Sequence, residues 1–504
     1  MLKKHFSTLL NNKPFLLQPD NLSSKVLTIN DINPKVKNAE YAVRGTVPTR
    51  ALNIRAALLN GNHNYKFDKL TECNIGNPQI FGQKPISFNR QVLASVLYPE
   101  LIETEIFNQD VRNRARFYSQ RMKHSIGAYS DSCGHLFVRE SVVKYIAQRD
   151  NHLLPPDTSD IILTDGASQG VSMVLNALIS DPRDGIMIPI PQYPLYSAAC
   201  TLQGASECHY YLDEDKGWQV TIEELNRSYK NSKKHGINPK ILVVINPGNP
   251  TGQVLSYKTI EQMIEFAYNN RMIIFADEVY QDNVYTDKKY FYSFKKVRSE
   301  LSKPYNDVEL FSFHSTSKGL LGECGLRGGY IELCNIDEKV KEQIIKLRSM
   351  FLCSNTIGQC MTELMCNPPT LINSSQETTE QYQKEKNDLY NSLKRRAEIM
   401  TDKLNKMTNI ECQEVEGAMY AFPRIHLNKK IIEEAQKRKM EPDLFYCLNV
   451  LENTGIVIIP GSGFRQKDDT YHFRITTLIL PEEYQMQQLD VFSQFNDEFH
   501  RQYN

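Results

Sequence analysis

The stretch VELFSFHSTSKGLLGECGLRGGY, residues 308–330, places an apolar run directly before a lysine set among small side chains. Val308 to Phe313 carry the β-branched and aromatic residues that suit a buried strand. Ser315, Ser317 and Gly319 then surround Lys318, and Arg327 follows nine positions later. A lysine kept for solubility needs no such setting. One whose amine must act as a nucleophile does, because nearby positive charge or burial lowers a lysine's proton affinity.

The same design recurs through the middle of the chain. DIILTDGAS (160–168), GIMIPIPQYPLY (185–196), KILVVINPGNPTG (240–252) and RMIIFADEVYQD (271–282) each run from apolar residues into a polar turn. Between the first two, Val171, Val174, Leu175, Leu178 and Ile179 recur at helical spacing. Strands alternating with helices predict an α/β fold whose mainly parallel sheet is covered by helices on both faces. In such sheets ligands lie beyond the carboxyl ends of the strands. Asp165 to Ser168, Tyr193, Asn246 to Gly252, Asp277 to Tyr280 and Ser315 to Lys318 all fall at those ends, so five segments converge on one crevice.

Composition excludes several classes. With 59 basic and 59 acidic residues among 504, and no block of like charge, the chain has neither the basic patch of a nucleic-acid binder nor that of a membrane-surface protein. Nowhere do 18 apolar residues run together, so no membrane span is expected. The 11 cysteines are scattered without CxxC pairs, which argues against a disulfide framework or zinc site and for a reducing compartment. The leader MLKKHFSTLLNNKPFLLQP is basic and acid-poor but lacks arginine, so it fits a mitochondrial import segment or a cytosolic tail. Residues 1–40 are therefore set apart as an extension. Residues 41–110 are mixed and expected to pack with the C-terminal part; 111–375 form the large domain. SSQETTEQYQKEKNDLYNSLKRRAEIMTDKLNKM (374–407) has the pattern of a long polar helix and opens a smaller domain, 376–504. Strand-like pieces follow in GAMYAFPRI, GIVIIPGSGF and TYHFRITTLIL.

NPGNPTG, ADEVYQD, HSTSKGLLGECGLRGGY and YHFRIT, in this order, resemble the class I/II aminotransferases. PIPQYPLYSA, GECGLRGGY and IPGSGF narrow the likeness to the alanine aminotransferases within that family, from about Tyr41 in EYAVRG to the C-terminus. The resemblance implies a fold-type I architecture: a large domain with a mainly parallel seven-stranded sheet between helices, plus a smaller α+β domain. It implies pyridoxal 5'-phosphate as cofactor, no metal, and amino acids and 2-oxo acids as partners. It further implies a homodimer with shared active sites.

Residue by residue, the resemblance makes Lys318 the lysine joined to the cofactor aldehyde and the group that moves the substrate α-proton. Asp277 would face the protonated pyridine nitrogen; read alone it is equally a helix cap or turn residue. Tyr280 and Asn249 would donate to the cofactor's ring oxygen, though Asn249-Pro250-Thr251-Gly252 alone is simply a good turn. Gly166, Ala167 and Ser168 open a helix whose N–H groups and dipole favour an anion. With Ser315 and Arg327 they would hold the phosphate; Ser317 is left as structural. Tyr193 matches the aromatic that stacks on the cofactor, against core packing as the blander role, and Tyr196 is left as core. Tyr129, in GAYSDSCG, would reach the phosphate of the neighbouring subunit. Arg474 would clamp the substrate α-carboxylate, with an internal salt bridge as the alternative reading, and Gly76 would help through its N–H. The expected reaction exchanges the amino group of L-alanine with 2-oxoglutarate. Other donors or acceptors on the same scaffold, a lyase, and a non-catalytic relative are its alternatives.

Overall fold

Five of these apolar runs and two further segments form one sheet: β1 Ile161–Leu163, β2 Asp184–Ile190, β3 Ser206–Tyr211, β4 Asn238–Ile245, β5 Ile273–Asp277, β6 Leu310–Ser315 and β7 Gly329–Cys334. The computed structural model describes residues 27–41, 45–61, 63–123 and 125–503, and the basic leader lies outside them. The spatial order is β1-β7-β6-β5-β4-β2-β3. Neighbours from β3 to β6 pair in parallel, whereas β7 is antiparallel to both β6 and β1. Central strands are continuous hydrophobic runs because both faces are covered: every residue of β2, β6 and β7 is buried. One face packs on a cluster containing Val171, Val174, Tyr196, Ile241 and Phe313. The other packs on Leu242, Val244, Ile260, Met263 and Ile274.

The C-terminal part gathers around a different cluster, with Leu393, Met400, Ile431, Tyr446, Phe473 and Phe492 at its centre. Its strands are short: Tyr420–Ala421, Phe473–Thr476 and Ile459–Pro460 form a three-stranded antiparallel sheet. The longer strands expected there stop early because Pro423 and Pro460 cannot donate to a ladder.

The polar helix is Gln376–Asn405, 30 residues long. Tyr382 near its start belongs to the cluster beneath the large sheet, whereas Leu393, Ala397, Met400 and Leu404 belong to the small one. A single helix thus enters two cores, the two apolar stretches being displaced along its length.

The expected grouping of residues 41–110 with the C-terminal part divides in the structure. Val47, Ala51, Ile54 and Cys73 do pack there. Ile86 to Val111 instead join Tyr118, Val138, Ile161 and Tyr330 under the large sheet. The reason is the helix Ser87–Leu97, whose Phe88, Val92, Leu93 and Val96 repeat at helical spacing and face that cluster.

Candidate active site

Five loops leave the carboxyl ends of β1, β2, β4, β5 and β6 and close on a cavity of about 280 Å³. Gly76, Ala167, Ser168, Tyr193, Asn249, Asp277, Tyr280, Ser315, Lys318 and Arg327 all line it. Parallel strands point their carboxyl ends one way, which gathers the residues from Ala167 to Lys318; Gly76 is added by the N-terminal segment.

Lys318 enters from the turn after β6. Its Nζ donates to the Gly76 carbonyl at 2.9 Å and lies 5.9 Å from the centre of the Tyr280 ring. Gly76 has no room for a side chain, since a Cβ would collide with the Tyr420 hydroxyl.

Asp277, the last residue of β5, forms the floor. Its Oδ2 accepts from the Tyr196 hydroxyl at 2.9 Å, while its buried Oδ1 has no hydrogen-bond partner. Burial pushes the carboxyl up to about 6, against the lowering hydrogen bonds from Tyr196 and the Val279 backbone and the Lys318 charge. A buried carboxylate oxygen without a partner calls for a cationic or donor group from a ligand.

Opposite lies an anion-binding corner. The helix Ala167–Leu178 starts here, its cap Gly166 at φ 81°, and a Cβ at Gly166 would collide with the Arg327 guanidinium. Arg327 is tied by Nη2 to the Asp165 carbonyl at 2.7 Å and by Nη1 to Ser317 Oγ at 3.0 Å. Ser315 Oγ donates to the Gly328 carbonyl at 3.1 Å and accepts from the Ser317 N–H at 3.1 Å. Ser317 is thus no mere scaffold: it lines the cavity and holds the arginine.

Arg474 and Tyr129 stand apart from the cavity wall. Arg474, 1% exposed, sits just behind Asn249 on the strand Phe473–Thr476. Its partners are neutral: Nη2 donates to the Asn74 carbonyl at 2.6 Å and Nη1 to Asn249 Oδ1 at 3.2 Å, and buried Nε has none. Tyr420 and Phe464 flank the guanidinium, with ring centres 4.0 and 4.6 Å away. An arginine that meets neutral oxygens and aromatic faces keeps its charge uncompensated, which suits an incoming anion. Tyr129 is 77% exposed and lines a second cleft, which adjoins the first at Arg327.

Three tyrosines add to the set. Tyr420 was invisible to motif reading because GAMYAF looks like any core strand. Burial alone would raise its phenol, but facing Arg474 and Lys318, with hydrogen bonds from Gly76 and Tyr280, brings it below the usual tyrosine value. Tyr196 was hidden for the same reason. Tyr41 meets the Tyr193 hydroxyl at 3.2 Å across the cavity mouth. Among the described residues no group of three metal-ligating side chains converges, and no helix is long and apolar enough to cross a membrane.

Together, an orphaned carboxylate oxygen, an amine and an anion corner around one cavity fit a flat, cationic, phosphorylated ring. Residues 103–487 match the profile of the family "Aminotransferase class I and II". The chain belongs to this family, whose members use pyridoxal 5'-phosphate. It is 44% identical to alanine aminotransferase 1 of Bos taurus over 488 residues, covering 96% of this chain and 97% of that protein. It is also 44% identical to a mitochondrial alanine aminotransferase 1 of Arabidopsis thaliana, covering 95% and 88%. Among solved structures, the alanine aminotransferase of Pyrococcus furiosus superposes with a TM-score of 0.73 at 23% identity, covering 93% of this chain and 100% of that one. The aspartate aminotransferase of Thermus thermophilus with maleate gives 0.69 at 17%. At these identities the likeness to solved structures speaks for the fold.

Proposed function

We propose that the chain transfers the amino group of L-alanine to 2-oxoglutarate, reversibly, giving pyruvate and L-glutamate. The observation that carries this is the convergence of the Lys318 amine and the unpartnered Asp277 Oδ1 on one cavity, with uncompensated Arg474 just behind its Asn249 wall, in a chain whose relatives are alanine aminotransferases.

Bound there, pyridoxal phosphate supplies an aldehyde that receives the amino group and a ring that accepts electrons from the substrate α-carbon. Asp277 Oδ1, which has no other partner, would hold the ring-nitrogen proton. Ala167, Ser168, Ser315 and Arg327 would hold the phosphate, and Tyr193 would cover the ring. Asn249, whose Oδ1 accepts from Arg474, would have its amide hydrogens left to donate to the ring oxygen together with Tyr280. Arg474 and the Gly76 N–H take the α-carboxylate of either substrate, so one clamp serves both half reactions. Lys318 Nζ moves the α-proton. Tyr129 completes the phosphate site of a second copy of the chain, so the working unit is a homodimer. The leader is read as an import segment or a cytosolic tail, as above.

A panel of amino donors with 2-oxoglutarate tests the substrate. Pyruvate formation from L-alanine should exceed product formation from aspartate, 2-aminobutyrate and glycine; a different best donor sinks the alanine reading. Donors one methylene longer should lose only about tenfold to a hundredfold, since a methylene is worth ~1–3 kcal/mol. Lys318→Ala should abolish turnover and the imine absorbance formed with the lysine together.

A further inference from the structure

Tyr196 is completely buried within the cluster that packs under β2 and β6. A phenylalanine would fill the same space, so the hydroxyl needs its own account. A hydroxyl buried without a partner is costly. Its partner is Asp277 Oδ2 at 2.9 Å, 81 positions away in the chain, and the twin oxygen Oδ1 is the one left without a bond. The short stretch that carries Tyr196 also carries Tyr193, three residues earlier, which lines the cavity. One turn therefore delivers a cover for the bound ring and a brace for the carboxylate beneath it.

We propose that Tyr196 is a positioning residue for the reaction: its hydroxyl pins one oxygen of Asp277 so that only the other faces the cofactor's ring nitrogen. The proposal deepens the reading of the site given above and rests on it.

Two consequences follow from the chemistry. Orientation comes first: a carboxylate held at one oxygen cannot rotate, so the ring meets a preset acceptor. Proton affinity comes second: a carboxylate accepting a hydrogen bond is a weaker base. Without the Tyr196 hydroxyl, the proton between ring nitrogen and Asp277 shifts toward the carboxylate, and the ring becomes a poorer acceptor of electrons. The groups that face this pair are Lys318, from the turn after β6, the Val279 backbone, the phenols of Tyr193 and of Tyr210 on β3, and the phenol of Tyr280 after β5. Tyr196 lies beneath the floor and away from Arg474, so substrate affinity is not its business.

The test compares wild-type holoenzyme with Tyr196→Phe. The variant should lose about ten- to a hundredfold in kcat with KM for amino and oxo acids little changed. Its cofactor should dissociate at least about tenfold faster, and the pH midpoint of the bound cofactor's visible absorbance should move by about half a unit or more. A second variant guards against misfolding: 3,5-difluorotyrosine at position 196 donates more strongly and should move that midpoint the opposite way. Lowered thermal stability with unchanged midpoint and kcat means the hydroxyl only packs, and the proposal fails. Borohydride reduction and peptide mapping separate the two readings. No pyridoxyl adduct on wild-type Lys318 sinks the cofactor site and the proposal with it; an adduct with an unmoved midpoint sinks the proposal alone.

Discussion

Arg474 lies between two aromatic faces and two neutral oxygens, a setting that supports the proposed substrate clamp over an internal salt bridge. A salt-bridged arginine would already be neutralised; this one has a buried Nε without a partner. Arg474→Ala should raise KM for both amino and oxo acids and lower kcat/KM about thirty- to five-thousandfold, as losing one side of a buried charge pair costs ~2–5 kcal/mol. Cofactor content should not change; its loss would refute the clamp. Asp277 carries a pH signature. Burial raises its carboxyl from 3.8 to about 6 in the cofactor-free chain, so the folded state binds that proton more tightly than the unfolded one. The associated stability is present below about pH 4 and is lost as pH rises through about 6. Relative to Asp277→Asn, which cannot titrate, the cofactor-free wild type should therefore weaken over that window by up to ~3 kcal/mol. Denaturant midpoints of both proteins at pH 4 and pH 7.5 would show it. Parallel changes in the two would mean that the carboxyl is not desolvated as the structure has it.

The helix Ala167–Leu178 and the turn after β6 meet at Gly166, and their approach explains why glycine stands there. The backbone is at φ 81° and the Arg327 guanidinium fills the place of a side chain. Gly166→Ala should cost ~1–3 kcal/mol of stability through backbone strain. It should also release cofactor at least about tenfold faster by pushing Arg327 off Asp165 and Ser317, both measurable on one preparation. Wild-type cofactor retention in the variant would remove the phosphate role from this corner. The long helix Gln376–Asn405 shows a different property of elements. Its polar surface marked it as a connector, but its two buried stretches, one in each core, couple the sheet that bears Lys318 to the small domain that bears Arg474. The short strands of that small domain were overextended in the reading of the sequence because alternation continues past Pro423 and Pro460, where the ladder cannot.

Tyr129 makes its prediction for the assembled molecule. It is exposed, and it lines a cleft on the far side of Arg327 from the cavity. If a second copy supplies Tyr129 to this corner, a Tyr129→Ala subunit and a Lys318→Ala subunit should form hybrid dimers with one intact site. Mixed and reassociated variants should then recover about a quarter of wild-type activity, from half of the dimers with one site in two. Activity no greater than the sum of the separate variants would make each site self-sufficient.

Much of the fold was legible because its signals are local. Five strands of the large sheet lie in short apolar runs that pass into polar turns, and the side-chain period and turn chemistry act within about ten residues. Lys318, Asp277, Asn249, Tyr280 and Arg327 were legible through motifs that are contiguous in the chain, and four of them stand at or just after the carboxyl ends of β4, β5 and β6. Partnerships were not local. That Tyr196 meets Asp277, that Arg474 reaches the Asn74 carbonyl 400 positions away, and that Ser317 rather than Ser315 holds Arg327 depend on strand order and on the approach of two cores. A hydroxyl or a guanidinium carries no mark of its partner in the chain; the partner is chosen when burial strips water from both and leaves each a single way to be satisfied.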